Sequence, residues 1–261
     1  MIRVDHSYCD VVANMLGDTP FTVTPCFFLR RRECNVYVDD AAQPQAIVVV
    51  PHVPFADVYV FVRAPLGTAG VESLADFISQ LEFQGGLFVP AELVQHIRVR
   101  RRIFLEAEGL CFTYPQGSRD FTVTRQEFVC RLSPADTKAV GQLPSAASFL
   151  YRNYFSPEAL LTEGVAFGVL CKGRLVSLAA SLALTPNYCD VGVYTLPRYR
   201  NRGYATDCVE ALFAETFVRG ARPLWRIGIQ QKLAIYFAEK LGMKEIGTTG
   251  GEVYLQVYPV R

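Results

Sequence analysis

The sequence lacks an excess of charge of either sign. Lysine and arginine total 26, aspartate and glutamate total 25, and the formal net charge is +1 at pH 7. A protein that binds nucleic acid or an anionic membrane surface usually carries excess positive charge, because its partner is a polyanion. The near balance therefore argues against both kinds of partner.

The sequence also has little of what a metal site requires. It contains three histidines (His6, His52 and His96), which are not clustered, and no two cysteines have the spacing Cys-x-x-Cys. Structural zinc sites combine cysteine and histidine at short, paired spacings, so we expect no metal. Each histidine is better explained as a surface or capping residue than as a catalytic one.

A disulfide framework and a secretion signal are lacking as well. The chain shows no signal-peptide core, and its eight cysteines are isolated from one another. We expect buried free thiols in a protein of the reducing cytoplasm, and disulfide pairing is the alternative. The cysteines are Cys9, Cys26, Cys34, Cys111, Cys130, Cys171, Cys189 and Cys208.

Long apolar runs and several well-known catalytic motifs are absent too. The longest apolar stretch, residues 164–184, is interrupted by Lys172 and Arg174, whereas a membrane-spanning helix needs about 20 uninterrupted apolar residues. We therefore expect a soluble protein with no membrane partner. The sequence has no Gly-x-Ser-x-Gly, no His-Glu-x-x-His and no P-loop of the nucleotide-hydrolase kind, which leaves those chemistries without support.

Turn-forming residues near the middle divide the chain. Residues 116–120 follow Pro115 and lie between two apolar stretches, so we interpret them as a linker. The predicted organisation is an N-terminal domain of residues 1–120 and a C-terminal domain of residues 121–261. We call these the N-terminal half and the C-terminal half.

The N-terminal half has the pattern of a mixed α/β structure. β-branched and aromatic runs at residues 46–50 and 57–62 predict two adjacent strands, and a helix is predicted over residues 71–81. The further predicted elements are a strand at residues 85–89, a short helix at 91–97 and a single strand at 103–114.

The C-terminal half begins with the pattern of an antiparallel sheet. A strand at residues 127–132 is followed by the helix-start sequence Ser133-Pro134 and by helical segments to about residue 161. Residues 165–171 and 175–184 then predict a hairpin, and residues 188–195 predict a third strand.

The loop after this third strand has the chemistry of an anion site. Asn201 tolerates a left-handed backbone, and Gly203 has no side chain to keep a ligand from the main chain. The loop opens an amphipathic helix that runs from about Ala205 to Gly220, and free amides at a helix start attract anions, to which Arg200 and Arg202 add charge. A pyrophosphate would fit. The alternative is an ordinary strand-to-helix turn with one useful glycine and two solvated arginines.

Together with the elements that follow, this loop resembles the GNAT superfamily of N-acetyltransferases. Arg200, Gly203 and Ala205 match the family signature of Arg or Gln, two residues, Gly, one residue, then Gly or Ala. A strand at residues 223–229 and a helix at 231–241 follow, and that helix ends in Lys-Leu-Gly-Met as in the family. The likeness covers roughly half the chain, from about residue 128, and is greatest to an uncharacterised bacterial branch with an extra N-terminal region.

The resemblance implies a fold and a cofactor. The fold is α/β (α+β), with a mixed, mostly antiparallel central sheet flanked by helices. Acetyl-CoA would lie between the strand that ends near Thr195 and the strand that starts near Leu224, with its pantetheine arm on the main chain around Val193 and Thr195. The cofactor-binding residues implied are Val193, Tyr194, Thr195, Arg200, Asn201, Arg202, Gly203, Tyr204, Ala205, Thr206 and Gln231.

The catalytic groups are less clearly marked. Asp190 lies in the strand beside the expected thioester and is the candidate general base; a surface charge on an edge strand is the alternative. The family's tyrosine acid corresponds to Ala238 here, and Tyr236, two positions away, should face elsewhere on its helix.

The predicted function is acetyl-CoA-dependent N-acetylation of a primary amine on a small molecule or peptide. The alternative is a catalytically weak coenzyme A-binding module with a regulatory or scaffolding role. The oligomeric state is left open, with a homodimer as one option.

The two halves also show a weak internal similarity. An offset of 133 positions relates Asp57 to Asp190 and Gly70 to Gly203, and the order of the following elements agrees. One hypothesis is that the N-terminal half is a degenerate copy of the same fold, without arginines in its loop and therefore without a cofactor. The alternative is that strands rich in valine and aromatic residues look alike by chance.

Overall fold

The computed structural model describes residues 1–114, 129–248 and 252–257. The predicted linker at residues 116–120 lies outside the described residues. Within the described ranges, no helix is long and apolar enough to cross a membrane.

Two mixed sheets of seven described strands each form the frame of the molecule, and helices pack around them. The strands are β1 (Ile2–Val4), β2 (Cys34–Val38), β3 (Ala46–Pro51), β4 (Val58–Val62), β5 (Leu87–Pro90), β6 (Ile103–Ala107), β7 (Gly109–Thr113), β8 (Val129–Arg131), β9 (Ala166–Cys171), β10 (Arg174–Leu184), β11 (Tyr188–Thr195), β12 (Arg222–Gly228), β13 (Lys244–Thr248) and β14 (Glu252–Val257). The helices are α1 (Cys9–Leu16), α2 (Val23–Arg31), α3 (Thr68–Gln80), α4 (Val94–Arg100), α5 (Thr137–Gly141), α6 (Pro157–Glu163), α7 (Tyr204–Val218) and α8 (Lys232–Lys240).

The two sheets exchange one strand each. The first sheet has the order β1-β2-β3-β4-β5-β14-β6, and the second has the order β13-β7-β12-β11-β10-β9-β8. The last strand of the N-terminal half, β7, therefore lies between β12 and β13, and β14 from the C-terminal half lies between β5 and β6. The boundary at residue 120 does not separate the sheets, and the division into two domains there stays a prediction.

The order of elements supports the hypothesis of two copies. In the first sheet, β1 to β5 are neighbours in chain order, β6 lies at the edge, and β14 of the C-terminal half lies between β5 and β6. In the second sheet, β8 to β12 are neighbours in chain order, β13 lies at the edge, and β7 of the N-terminal half lies between β12 and β13. β4 and α3 form the strand–loop–helix unit that the hypothesis requires. The equivalence of Gly70 and Gly203 is wrong by three positions, because Gly67 precedes α3 whereas Gly70 lies within it.

Most of the predicted elements of the C-terminal half are confirmed. β9 and β10 form the antiparallel hairpin, with Lys172 and Gly173 in positive-φ conformations at its turn, and β11 has the predicted bounds. The single strand predicted over residues 103–114 is wrong. The chain breaks at Glu108, and the two pieces, β6 and β7, belong to different sheets, a change of partner that an apolar pattern does not reveal.

One hydrophobic core joins the two halves. Helix α2 packs on β10 and β11 of the second sheet, and its Phe27 ring lies 5.1 Å from the ring of Tyr154. Phe28 of α2 and Tyr154 are almost fully buried in the same cluster. A smaller core lies between the first sheet and α3 and α4. The N-terminal half therefore covers one face of the second sheet.

Candidate functional site

Strands β11 and β12 separate part of the way along their length. They pair in parallel at Tyr188 with Arg222, Cys189 with Pro223 and Asp190 with Leu224. Beyond this point β11 continues to Thr195 along β10, and β12 continues along β7, without further described pairing between them. The divergence leaves two facing strand edges whose backbone groups are available to a ligand.

A cleft of about 880 Å³ opens at this divergence. We call the end next to the last paired residues its closed end, and the end at the loop before α7 its open end. The closed end is lined by Gly192, Trp225 and Arg226, together with Phe149 and Leu182.

The loop at the open end has the left-handed backbone predicted for it. Asn201 and Gly203 have φ values of 58° and 84°, in the left-handed region, and Gly203 caps α7. The first turn of this 15-residue helix leaves amide N–H groups directed toward the loop. Arg200 donates from Nε to the carbonyl oxygen of Thr195 at 3.2 Å, which ties the loop to the end of β11.

All eleven residues predicted to bind the cofactor line this one cleft. They are Val193, Tyr194, Thr195, Arg200, Asn201, Arg202, Gly203, Tyr204, Ala205, Thr206 and Gln231. The structure adds lining residues that the sequence reasoning missed, namely Phe149, Leu182, Val191, Gly192, Tyr199, Trp225, Arg226, Leu233, Ala234, Phe237 and Lys240. Phe149 and Leu182 reach the cleft from other parts of the chain, so no local pattern could have identified them.

Apolar side chains crowd the strand at the closed end of the cleft. A side chain at Gly192 would place its Cβ atom 2.9 Å from Leu182 and 3.1 Å from Phe149. Trp225 and Phe237 meet edge to face, with their ring centroids 5.8 Å apart. Glycine at position 192 thus lets apolar side chains close over the strand.

Asp190 lies next to the closed end but does not line the cleft. Its side chain is 5% exposed, and its Oδ2 atom accepts hydrogen bonds from Nη2 and Nε of Arg226 at 2.9 and 3.2 Å. Thr24 of α2 donates to the same oxygen at 3.4 Å. The carboxylate is thus engaged by the guanidinium and by a threonine hydroxyl, outside the lining of the cleft. These contacts count against the prediction that Asp190 is the general base, which stays untested.

The N-terminal half supplies two of the contacts of Arg226. Arg226 donates a short hydrogen bond to Thr24, and its guanidinium carbon lies 5.5 Å from the centre of the Phe88 ring. Burial is the largest single influence and lowers the pKa of Arg226. The charge and hydrogen bonds of Asp190, together with Tyr59 and Cys111, act in the opposite direction, and the net effect is a pKa above the usual value. The guanidinium is thus a permanent cation whose place is determined by residues of both halves.

The helix after β12 presents different residues from those expected. Ala238, at the family's tyrosine position, is fully buried and does not line the cleft. Tyr236 is 64% exposed and also lies away from the cleft, which confirms that it faces elsewhere. Phe237 is the aromatic residue of α8 that lines the cleft.

Comparison with known proteins agrees with this arrangement. The family model of the GNAT acetyltransferases matches residues 112–250. The chain belongs to the GNAT acetyltransferase family. It is therefore an acyltransferase of the N-acetyltransferase class, and the predicted fold class is confirmed.

Two relatives share part of the sequence. An uncharacterised N-acetyltransferase of Streptomyces virginiae, from the mutA 5′ region, is 27% identical over 190 residues, which are 70% of this chain and 73% of the relative. The uncharacterised N-acetyltransferase YdfB of Bacillus subtilis is 28% identical over 116 residues, 44% of each chain. Their names agree with the acyltransferase class and do not identify an acceptor.

Solved structures match the whole chain in fold. A GCN5-related N-acetyltransferase-like protein from Streptococcus suis has a TM-score of 0.70 at 19% identity, and the match covers 97% of this chain and 99% of that chain. A tandem GNAT protein from the clavulanic acid biosynthesis pathway has a TM-score of 0.60 at 10% identity over 100% and 99% of the two chains. The fold of this chain is thus a tandem GNAT-like fold.

Proposed function

We propose that this GNAT protein transfers an acetyl group from acetyl-CoA to a primary amine of a small molecule or peptide. The observation that carries the proposal is the unpaired edge of β11, which leads from the closed end of the cleft to the anion-binding loop at the start of α7. A ligand with an extended amide-containing arm and a pyrophosphate matches both features.

The residues along the cleft fit this cofactor. The amides of residues 202–205 at the start of α7 suit a pyrophosphate, and Arg200, Arg202 and Lys240 bring positive charge to the same cleft. The free backbone edge around Val193 and Thr195 suits the amides of the pantetheine arm. When bound, acetyl-CoA would supply an activated acyl group as a thioester.

The role of the protein in the reaction is mainly to position the reactants. The unpaired strand edge would align the cofactor arm, and the apolar side chains of Phe149, Leu182 and Trp225 line the closed end where the reacting groups would lie. Holding the amine and the acyl group together can by itself supply much of the acceleration.

A coenzyme A-binding module with little turnover is the second candidate. It is favoured by one observation: among the described residues that line the cleft, none is an aspartate, glutamate or histidine, so the cleft shows no obvious proton acceptor. The two candidates share the cofactor and differ in catalysis. The free state of all eight cysteines suits the cytoplasmic location that we propose for either one.

Two measurements test both candidate functions. Calorimetry measures the binding of acetyl-CoA, and a thiol-release assay over a panel of primary amines measures turnover. Binding together with amine-dependent release of free coenzyme A would support the transferase. Binding without release over the whole panel would support the module. A protein that is folded but does not bind acetyl-CoA would contradict both proposals.

A further inference from the structure

The charged side chains that line the cleft are all basic among the described residues. They belong to Arg200, Arg202, Arg226 and Lys240. Arg200 and Arg202 belong to the loop at the open end, Lys240 is the last residue of α8, and Arg226 lies on β12 at the closed end. An acceptor that enters there would meet Arg226 and the apolar side chains of Phe149, Leu182 and Trp225.

The negative charge near the closed end is already paired. Asp190 is buried, and its Oδ2 atom accepts two hydrogen bonds from the guanidinium of Arg226. Thr24 adds a neutral hydrogen bond to the same oxygen. The Asp190–Arg226 pair is therefore close to neutral as a unit, and neither member is available to balance an added charge.

A protonated amine would find no carboxylate to pair with among the described residues that line the cleft. Moving an ammonium ion from water into an apolar site is costly unless a carboxylate or a set of oxygen acceptors replaces its hydration. An amine that is already neutral in water loses much less hydration on entry. It also needs no base before it reacts, since its nitrogen lone pair is free.

We propose, on the basis of the proposed function, that the acceptor is a weakly basic amine attached to an aromatic body, an arylamine in chemical terms. Its ring would pack against Phe149 and Trp225, of which Phe149 is 36% exposed at the cleft. Aromatic pairs add stabilisation beyond the burial of their area. The neutral amino group would then face the acyl group without a counter-ion.

The reaction balances without a protein base. The lone pair of the neutral amine forms a C–N bond with the acetyl carbonyl carbon, and the C–S bond breaks with its electron pair on the sulfur of coenzyme A. The proton lost from nitrogen goes to water or to the thiolate. The products are the N-aryl acetamide and free coenzyme A.

Two isomeric amines provide the test. 4-Methylaniline and benzylamine have the same composition and similar size, but at pH 7 the first is almost wholly neutral and the second almost wholly protonated. We expect kcat/KM in the thiol-release assay to be at least tenfold higher for 4-methylaniline. Equal or higher kcat/KM for benzylamine would overturn the proposal, as would release with neither amine by a protein that binds acetyl-CoA. Failure to bind acetyl-CoA would instead contradict the proposed function.

Binding without turnover gives a second readout. Trp225 is the one tryptophan of the sequence and lines the cleft, so its fluorescence reports occupancy of the closed end. In the presence of coenzyme A, we expect 4-methylaniline to bind at least tenfold more tightly than benzylamine. Equal affinities would count against the proposal.

A pair of variants tests the role of the ion pair. Arg226→Met leaves Asp190 as an unpaired carboxylate, which can pair with a protonated amine. We therefore expect the ratio of kcat/KM for benzylamine to kcat/KM for 4-methylaniline to rise at least tenfold. The matched control Arg226→Met with Asp190→Leu removes both charges and should keep the wild-type ratio within threefold. A folded Arg226→Met protein with an unchanged ratio would show that the pair does not select the acceptor. If this variant does not fold, the wild-type comparison of the two amines still decides.

Discussion

The Nη2 atom of Arg226 lies 2.9 Å from the Oδ2 atom of Asp190, and this ion pair connects β11 and β12 at the point where their backbones separate. Thr24 of the N-terminal half donates to the same carboxylate oxygen and accepts from Arg226. One buried cluster therefore joins the two diverging strands to the other half of the molecule. Its consequence is that the shape of the cleft depends on residues outside the region matched by the family.

We expect Asp190→Asn to lower the free energy of unfolding by about 3–5 kcal/mol, because it leaves a buried guanidinium without its counter-ion. Urea unfolding measures this loss. The double variant with Arg226→Met should cost less than the sum of the single variants, since the two residues interact directly. A loss of half a kcal/mol or less, with a fall in acetylation rate of about 100-fold or more, would instead support Asp190 as the general base.

Gly203→Glu should weaken acetyl-CoA binding about 10- to 100-fold, because it adds a side chain and a negative charge beside the amides that would bind the pyrophosphate, which are worth about 1.5–3 kcal/mol. Gly220→Glu is the matched control. Gly220 also has positive φ, at 77°, and lies at the other end of α7 with open space around it. Calorimetry should show an affinity within twofold of wild type for this control. Equal losses in the two variants would point to backbone strain.

The loop at residues 200–205 and the cluster around Asp190 differ in how far they could be predicted from the sequence. The loop at residues 200–205 is local: Asn201 and Gly203 signal their left-handed backbone through their own chemistry, and both have it. The partners of Asp190 are 36 and 166 positions away, so its burial depends on the packing of β12 and α2. The strand exchange is equally non-local, because β7 and β14 carry apolar patterns that suit either sheet.

Phe237→Tyr should raise kcat, because it introduces a hydroxyl donor on the face of α8 that lines the cleft. We expect a gain of at least about threefold, well below the 100-fold or more typical of general acid–base catalysis, because a thiolate leaves readily. KM for acetyl-CoA should stay within twofold in steady-state kinetics. Tyr236→Phe is the control: it removes a hydroxyl from the exposed side of the same helix and should leave kcat and KM for acetyl-CoA unchanged. A Phe237→Tyr protein with unaltered kcat would show that protonation of the thiolate does not limit the rate.

Alkylation should distinguish two cysteines from the other six. Burial raises the pKa of Cys111, Cys189 and Cys208 to about 12, so these thiols stay protonated and inert at pH 8. Only Cys130, which is exposed, and Cys171, which is partly exposed, should react with iodoacetamide in the native protein. Mass spectrometry should therefore find at most two adducts before unfolding and eight afterwards.

The same thiols make stability depend on pH at the alkaline end. In the unfolded chain a cysteine releases its proton near pH 8.5, whereas the buried thiols of the native protein keep theirs. The native state therefore binds more protons above this pH, and the free energy of unfolding should fall as the pH rises from about 8.5. Urea midpoints that are constant between pH 8 and pH 10 would contradict this prediction.

The strand exchange should make the two halves unfold as one unit. Leu255 of β14 is fully buried in the first sheet, and Trp225 of β12 lies in the second sheet. Leu255→Ala creates a cavity that should cost about 2–5 kcal/mol. Because β14 is continuous with the C-terminal half and β7 with the N-terminal half, opening of the first sheet should also release the second.

The fluorescence of Trp225 during urea unfolding therefore reports on a substitution made in the other sheet. In Leu255→Ala its midpoint should fall together with that of the far-UV circular dichroism signal, as two-state unfolding requires. Val218→Ala, at a position 83% exposed at the end of α7, is the control. It should change the free energy of unfolding by no more than about half a kcal/mol with either probe. If the circular dichroism transition splits while the Trp225 midpoint stays at the wild-type value, the halves unfold separately and the exchanged strands do not couple them.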